Sequence, residues 1–140
     1  MLIWRIGSGI LPTKADIVSR LGFGDALCPL CSVDVESIDH LFFKCSITRV
    51  IWFGSRWELH SDLLSFPDCT DIVNFVCDPP SYSHHSSNSI ATSAFFSIRI
   101  ALTLECIWNM RNQVVHKGTS INLLFMITAL GNRIDEHSLA

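Results

Sequence analysis

Apolar positions recur at intervals of three and four over the last third of the chain. Ala94, Phe95, Ile98, Ala101, Leu102 and Trp108 follow this spacing, interrupted by Glu105. That period predicts one long helix starting near Ser89 and running to about Lys117, with Gly118 as its terminator. Residues 90–110 are its most apolar part. Arg99, Glu105 and several Ser and Thr within it favour a buried helix over a membrane span. Nearer the start, residues 2–6 read as the tail of an apolar helix. Pro12-Thr13 opens a second helix: Thr13 is the expected N-cap, Asp16 takes the capping-box position, Ile17, Val18 and Leu21 form the apolar face, and Gly22 or Gly24 ends it. Residues 47–55 form another apolar helical stretch, and residues 71–76 a short one. Ser120 is a candidate cap for a last helix over residues 121–130, ended by Gly131, with a polar, frayed tail over 132–140.

Between these segments the pattern changes. Residues 25–27 lead as a short extended stretch into C-P-L-C, residues 32–36 turn away from it, and Ser37 can N-cap a helix that carries His40. Residues 78–89 read D-P-P-S-Y-S-H-H-S-S-N-S, a polar Pro/Ser-rich loop or linker. The expected architecture is mainly α: a small irregular domain around the C-P-L-C knuckle, with helices and at most one small hairpin, followed by a long apolar helix. It divides into residues 2–57, an acidic connecting segment over 58–89, and a helical segment over 90–140.

Composition narrows the class. With 49% hydrophobic and 16% charged residues in 140, the chain has the means for a buried core and is not disordered. So little charge also leaves apolar surface for a partner or a flanking domain to cover. The net charge of −3 gives no global case for nucleic-acid binding. The charge is uneven: net +1 over residues 1–57, −5 over 58–90 with no Lys or Arg at all, and +1 beyond. Any contact with a polyanion must therefore be local. Lys44, Arg49 and Arg56 are the candidates; Arg49 and Arg56 stand seven apart, two helical turns, on one face.

The sharpest chemical signal is Cys28, Cys31, His40 and Cys45, spaced C-x2-C-x8-H-x4-C. Three thiolates and one imidazole make a full tetrahedral donor set for one structural Zn²⁺, with no position left for water. The competing readings are buried core cysteines and a redox C-x-x-C; the second lacks the strand–helix setting such motifs use. Cys69, Cys77 and Cys106 remain. An odd remainder fits an intracellular, reducing compartment, and residues 1–12 break at Gly7, Gly9 and Pro12 before a secretory apolar region can form.

The other constellations are weaker. His84-His85 is a vicinal pair in the Ser-rich loop, and with Cys69 and Cys77 it lacks a C-x-x-C clamp for a second site. Trp52, Trp57 and Trp108 could stack bases, but their helical spacing beside Ile and Phe suits packing. There is no G-x-S-x-G, no Gly-rich phosphate loop and no nucleophile–base pair, so the chain reads as a non-enzyme.

Taken in order, L-P-T-K-A-D-I-V-S-R-L-G-F, C-P-L-C, V-E-S-I-D-H-L-F-F-K-C and R-V-I-W, with W-R-I at Trp4 to Ile6, resemble the zinc-binding domain in reverse transcriptases of plant non-LTR (LINE-type) retrotransposons. The resemblance covers roughly residues 2–53. I-W-N-M-R-N-Q-V-V-H-K-G, from Ile107 to Gly118, resembles the W-x-x-R-N-x-x-x-F-x-G segment that follows this domain before a ribonuclease H domain. The resemblance implies zinc at Cys28, Cys31, His40 and Cys45, and an accessory role on RNA or single-stranded DNA beside polymerase or ribonuclease H domains. Two departures stand out: Ser46 where the family more often has Pro, and His116 where an aromatic is usual. The chain has no Y-x-D-D: its one tyrosine, Tyr82, precedes Ser83 and His84. It reads as a middle piece or remnant of a larger protein. The alternative reading is a zinc-stabilised module that packs against other protein domains.

Overall fold

The computed structural model describes residues 2–54, 59–79 and 89–138. Arg56, Trp57, His84 and His85 lie outside the described residues. Six α-helices carry the fold: α1 (Leu2–Gly7), α2 (Lys14–Leu21), α3 (Ser46–Gly54), α4 (Cys69–Cys77), α5 (Ser89–Lys117) and α6 (Leu123–Ser138). A wide turn, His40–Lys44, precedes α3, and a short 3₁₀ turn, Ser61–Leu63, follows it. Among the described residues the only β-pairing is a single antiparallel bridge, Leu27 to Val35. The mainly helical expectation holds, as does the small hairpin.

The core is built around three consecutive aromatic and aliphatic residues. Leu41, Phe42 and Phe43 are all fully buried. A regular amphipathic helix cannot bury three neighbours in a row, so this turn must be covered on every side. Phe43 stacks on Trp52 of α3 at 5.6 Å and meets Phe66 at 4.6 Å and Phe75 of α4 at 6.3 Å, while Phe42 faces Trp108 of α5 at 6.4 Å. The Trp52 indole donates to the Phe42 carbonyl at 2.6 Å, satisfying both buried groups. Trp52 and Trp108 are therefore packing residues.

Around this centre each helix follows from its sequence. α4 starts with a capping box between Asp68 and Asp71 and buries Ile72, Phe75 and Val76 at three-to-four spacing. α1 lies against it so closely that a Cβ at Gly7 would come within 2.7 Å of Val73 Cγ2. α5 starts at Ser89 and stops at Lys117, as its apolar period predicts. Gly118, at φ +61°, closes it with a bond from its N–H to the Val114 carbonyl. α5 is buried on more than one face because α4, α6 and the His40–Lys44 turn all pack on it. Among the described residues no helix is long and apolar enough to cross a membrane.

Two expectations fail. α2 is capped as predicted: Thr13 Oγ1 accepts from Asp16 N, and Gly22 at φ +77° ends it. Its apolar face does not enter the core, however; no α2 residue is buried, and Ile17 and Leu21 are exposed. The helix is held by its N-terminus instead. The last helix does not end at Gly131. It starts after Asn122, whose Oδ1 accepts from Phe125 N, and runs through Ser138, burying Leu130 before the glycine and Ile134 in the supposed tail. A glycine inside a helix costs only about 1 kcal/mol relative to alanine, less than burying Ile134 contributes.

Candidate metal centre

The first pair of cysteines sits on the hairpin turn. Cys28 N donates to Asp34 O at 2.7 Å and Glu36 N to Ala26 O at 2.8 Å, which fixes the two arms. Ser32, at φ +57°, turns the chain back just after Cys31, and its N–H reaches the Cys28 carbonyl at 2.8 Å. The second pair brackets the wide turn. Ser37 Oγ accepts from His40 N at 3.1 Å, as its capping role predicts, and Cys45 N donates to His40 O at 2.7 Å. That five-residue closure fits four spacer residues between His40 and Cys45 while keeping both side chains on one side.

The four donors converge. Cys28 Sγ lies 3.8 Å from Cys45 Sγ, and Cys31 Sγ lies 3.3 Å from His40 Nε2. All four donor atoms are within 4.8 Å of one another. Two sulfurs on a tetrahedral zinc at about 2.3 Å are separated by about 3.8 Å. The backbone is arranged for thiolates as well. Cys28 Sγ takes N–H bonds from Leu30 and Cys31, and Cys45 Sγ from Ile47 and Thr48. Cys45 thereby caps α3: its sulfur accepts from the second and third residues of the helix, where the helix dipole favours negative charge. Ser46 occupies the first helical position. Proline is well suited there but not needed, so serine at this position leaves the ligand geometry intact.

The Cys28 thiol donates to the Cys45 sulfur, so the two buried groups differ in how readily they ionise. The hydrogen bond to Cys45, reinforced by burial, pushes the Cys28 thiol well above the ordinary range, and the same bond holds Cys45 below it. A divalent cation removes that difference, because every coordinating thiol is deprotonated. Cys28, Cys31, His40 and Cys45 form a compact site for one structural zinc ion. Four protein donors leave no open position, so the metal's contribution is to folding.

Residues 1–52 match the family described as zinc-binding in reverse transcriptase. The match spans the hairpin, the wide turn and most of α3, and it includes all four donors. No curated protein and no solved structure gives a significant match.

One functional element near the site was missed by the sequence reading. Glu36, expected to lie on a turn leading away from the knuckle, is fully buried. It accepts from Arg111 Nε at 2.9 Å and Arg111 Nη2 at 2.8 Å, and also from the backbone N–H of Lys14 at 2.6 Å, while its own carbonyl accepts from Ala15 N at 3.2 Å. One carboxylate thus ties the knuckle, the start of α2 and α5. Arg111 also donates to the Pro12 carbonyl at 3.4 Å and to Asn112 Oδ1 at 3.1 Å, and lies over the Trp108 ring at 4.8 Å. The W-x-x-R-N segment is packed into the zinc region as a helix bridge. The pairing joins residues 75 apart, beyond the reach of any local sequence signal.

Of the candidate basic residues, Arg56 lies outside the described residues, and the other two differ. Lys44 Nζ donates to the backbone carbonyls of Asp62, at 2.7 Å, and Leu64. Arg49 is half exposed and pairs with Asp62 at 3.4 Å. Cys69 and Cys106 have thiols pushed up, chiefly by burial. Among the described residues the only group of three or more converging donors is the quartet around Cys28.

Proposed function

We propose that this chain is a non-catalytic, zinc-organised accessory module of a LINE-type, plant-like reverse transcriptase, and that it holds single-stranded RNA or DNA for the polymerase it accompanies. The observation that carries this reading is a closed Cys₃His site inside the stretch that matches a zinc-binding region of reverse transcriptases. Such enzymes act on RNA and DNA, and a metal that only shapes the backbone suits a holding role.

The charge pattern limits how the module works. Lys44 spends two donors on internal carbonyls, so phosphate contact falls to very few side chains. Binding is therefore weak and only mildly salt-dependent. With one or two phosphates neutralised on a single strand, log K falls with log salt at a slope of about −0.7 to −1.4. A titration of labelled single-stranded RNA and DNA across a salt series tests this. A flat response, or no binding at low salt, rejects the reading.

A second reading has its own observation. Leu21 at the end of α2, Phe23 just past its cap, and Val33 and Val35 on the hairpin are more than half exposed. Large exposed apolar side chains of this kind mark protein contacts. On this reading the module docks on a flanking polymerase or ribonuclease H domain. Capture of a purified polymerase fragment that is lost in Phe23→Ser, without oligonucleotide binding, would favour it.

A further inference from the structure

The outer face of α3 differs from its inner one. Thr48, Ile51 and Trp52 point into the core. Ser46, Arg49, Val50 and Phe53, at intervals of three and four, line the opposite side, where Val50 and Phe53 are nearly half exposed. His60 and Asp62 face them across a cleft of about 450 Å³. That volume lies within the range of small-ligand clefts, about 300–1,000 Å³. The Phe53 and His60 rings stand 5.1 Å apart with their planes 53° apart. Arg49, with half its side chain in solvent, is held at the rim by Asp62.

We infer that this cleft takes one unstacked nucleotide of a single strand, with the base against Phe53 and His60 and its phosphate on Arg49. The inference rests on the nucleic-acid reading above and gives it a place. An apolar floor with an exposed ring pair stacks any base, and one guanidinium supplies the single phosphate contact that a chain of net charge −3 can offer. Both walls are braced on the zinc region. Ser61 Oγ donates to Phe43 O at 2.7 Å, and Lys44 holds the Asp62 and Leu64 carbonyls. The other wall, α3, is capped at its first turn by the Cys45 sulfur. His40 and Cys45 flank the turn that carries these braces, so the metal site and the cleft share one support. Lys44 thereby acts as a positioning residue for the cleft wall.

The test is fluorescence anisotropy of the zinc-loaded full chain with labelled oligo-U and oligo-dT between about 50 and 200 mM salt. Phe53→Ala is expected to weaken binding about tenfold or more. Arg49→Ala is expected to make the salt slope shallower by about 0.7. Both side chains are half exposed, so both variants keep their zinc and helical signal. Phe23→Ala, exposed but not lining the cleft, leaves affinity unchanged. Binding of oligo-U and oligo-dT alike supports a site that reads base and phosphate; a preference for oligo-U adds a 2′-hydroxyl contact to the same site. Wild-type binding that Phe53→Ala and Arg49→Ala both retain at full strength removes the cleft and leaves the nucleic-acid reading standing. No binding by the wild-type chain ends that reading and the cleft with it. Capture of a polymerase fragment that is lost in Phe53→Ala, without oligonucleotide binding, assigns the cleft to protein and overturns the inference.

Discussion

Glu36 and Arg111 are a buried ion pair whose members cannot be judged separately. Glu36 accepts three hydrogen bonds, and Arg111 meets it with two parallel ones. Such a pair contributes little over a well-packed apolar pair, yet removing one partner strands a buried charge and costs about 3–5 kcal/mol. Arg111→Ala is therefore expected to lower the melting temperature by about 10 °C or more, while Glu36→Met with Arg111→Met recovers much of the loss. If the single variant melts like the wild type, the pair does not join the knuckle to α5. Among the ligands, Cys31→Ser replaces a thiolate with a hydroxyl that zinc holds poorly. It is expected to weaken zinc retention by more than the roughly 10–100-fold seen when outer partners of a metal ligand are lost, measured by competition with a chromophoric chelator. Retention equal to the wild type would place Cys31 outside the site.

At the scale of elements, glycines separate two kinds of helix end. Gly118 sits at φ +61°, where an L side chain is strained, so Gly118→Ala is expected to destabilise by about 1 kcal/mol. Gly131 lies inside α6, and a Cβ there would meet nothing within 4 Å. Gly131→Ala is therefore expected to stabilise by about 0.4–1 kcal/mol in a denaturant melt. A destabilised Gly131→Ala would mean that α6 breaks there after all. The same glycines explain what could be read beforehand. The limits of α5 and the caps of α2 follow from local signals: apolar period, Thr13, Gly22 and Gly118. The metal quartet was legible because its spacing is itself local chemistry. Gly131 misled because glycine marks a helix end only when its φ is positive, which sequence does not reveal. The exposure of Ile17 and Leu21, the burial of Glu36 and the internal use of Lys44 all depend on partners far along the chain. No local pattern encodes those.

For the molecule as a whole, the zinc unit and the stretch that matches the family do not have the same limits. The match ends at Trp52, but the turn that presents His40 and Cys45 is covered by Phe75 of α4 and Trp108 of α5, and Glu36 is neutralised by Arg111. A fragment ending after Gly54 would expose Phe42 and Phe43 and leave Glu36 buried without its cation. It is expected to bind zinc more weakly than the full chain and to melt without a cooperative transition. In the full chain, chelator is expected to remove the support of the knuckle, the wide turn and the start of α3 together. Hydrogen exchange should then rise first over residues 26–53 and later in α5, whose remaining neighbours are α4 and α6. Acid acts in the same direction as chelator, because protons compete with the metal for the three thiolates and the imidazole, so retention falls as pH falls. A fragment ending after Gly54 that matches the full chain in zinc affinity and in melting would show that the helices beyond it add nothing to the site. Equal exchange rates over residues 26–53 with and without zinc would show that the metal does not organise them.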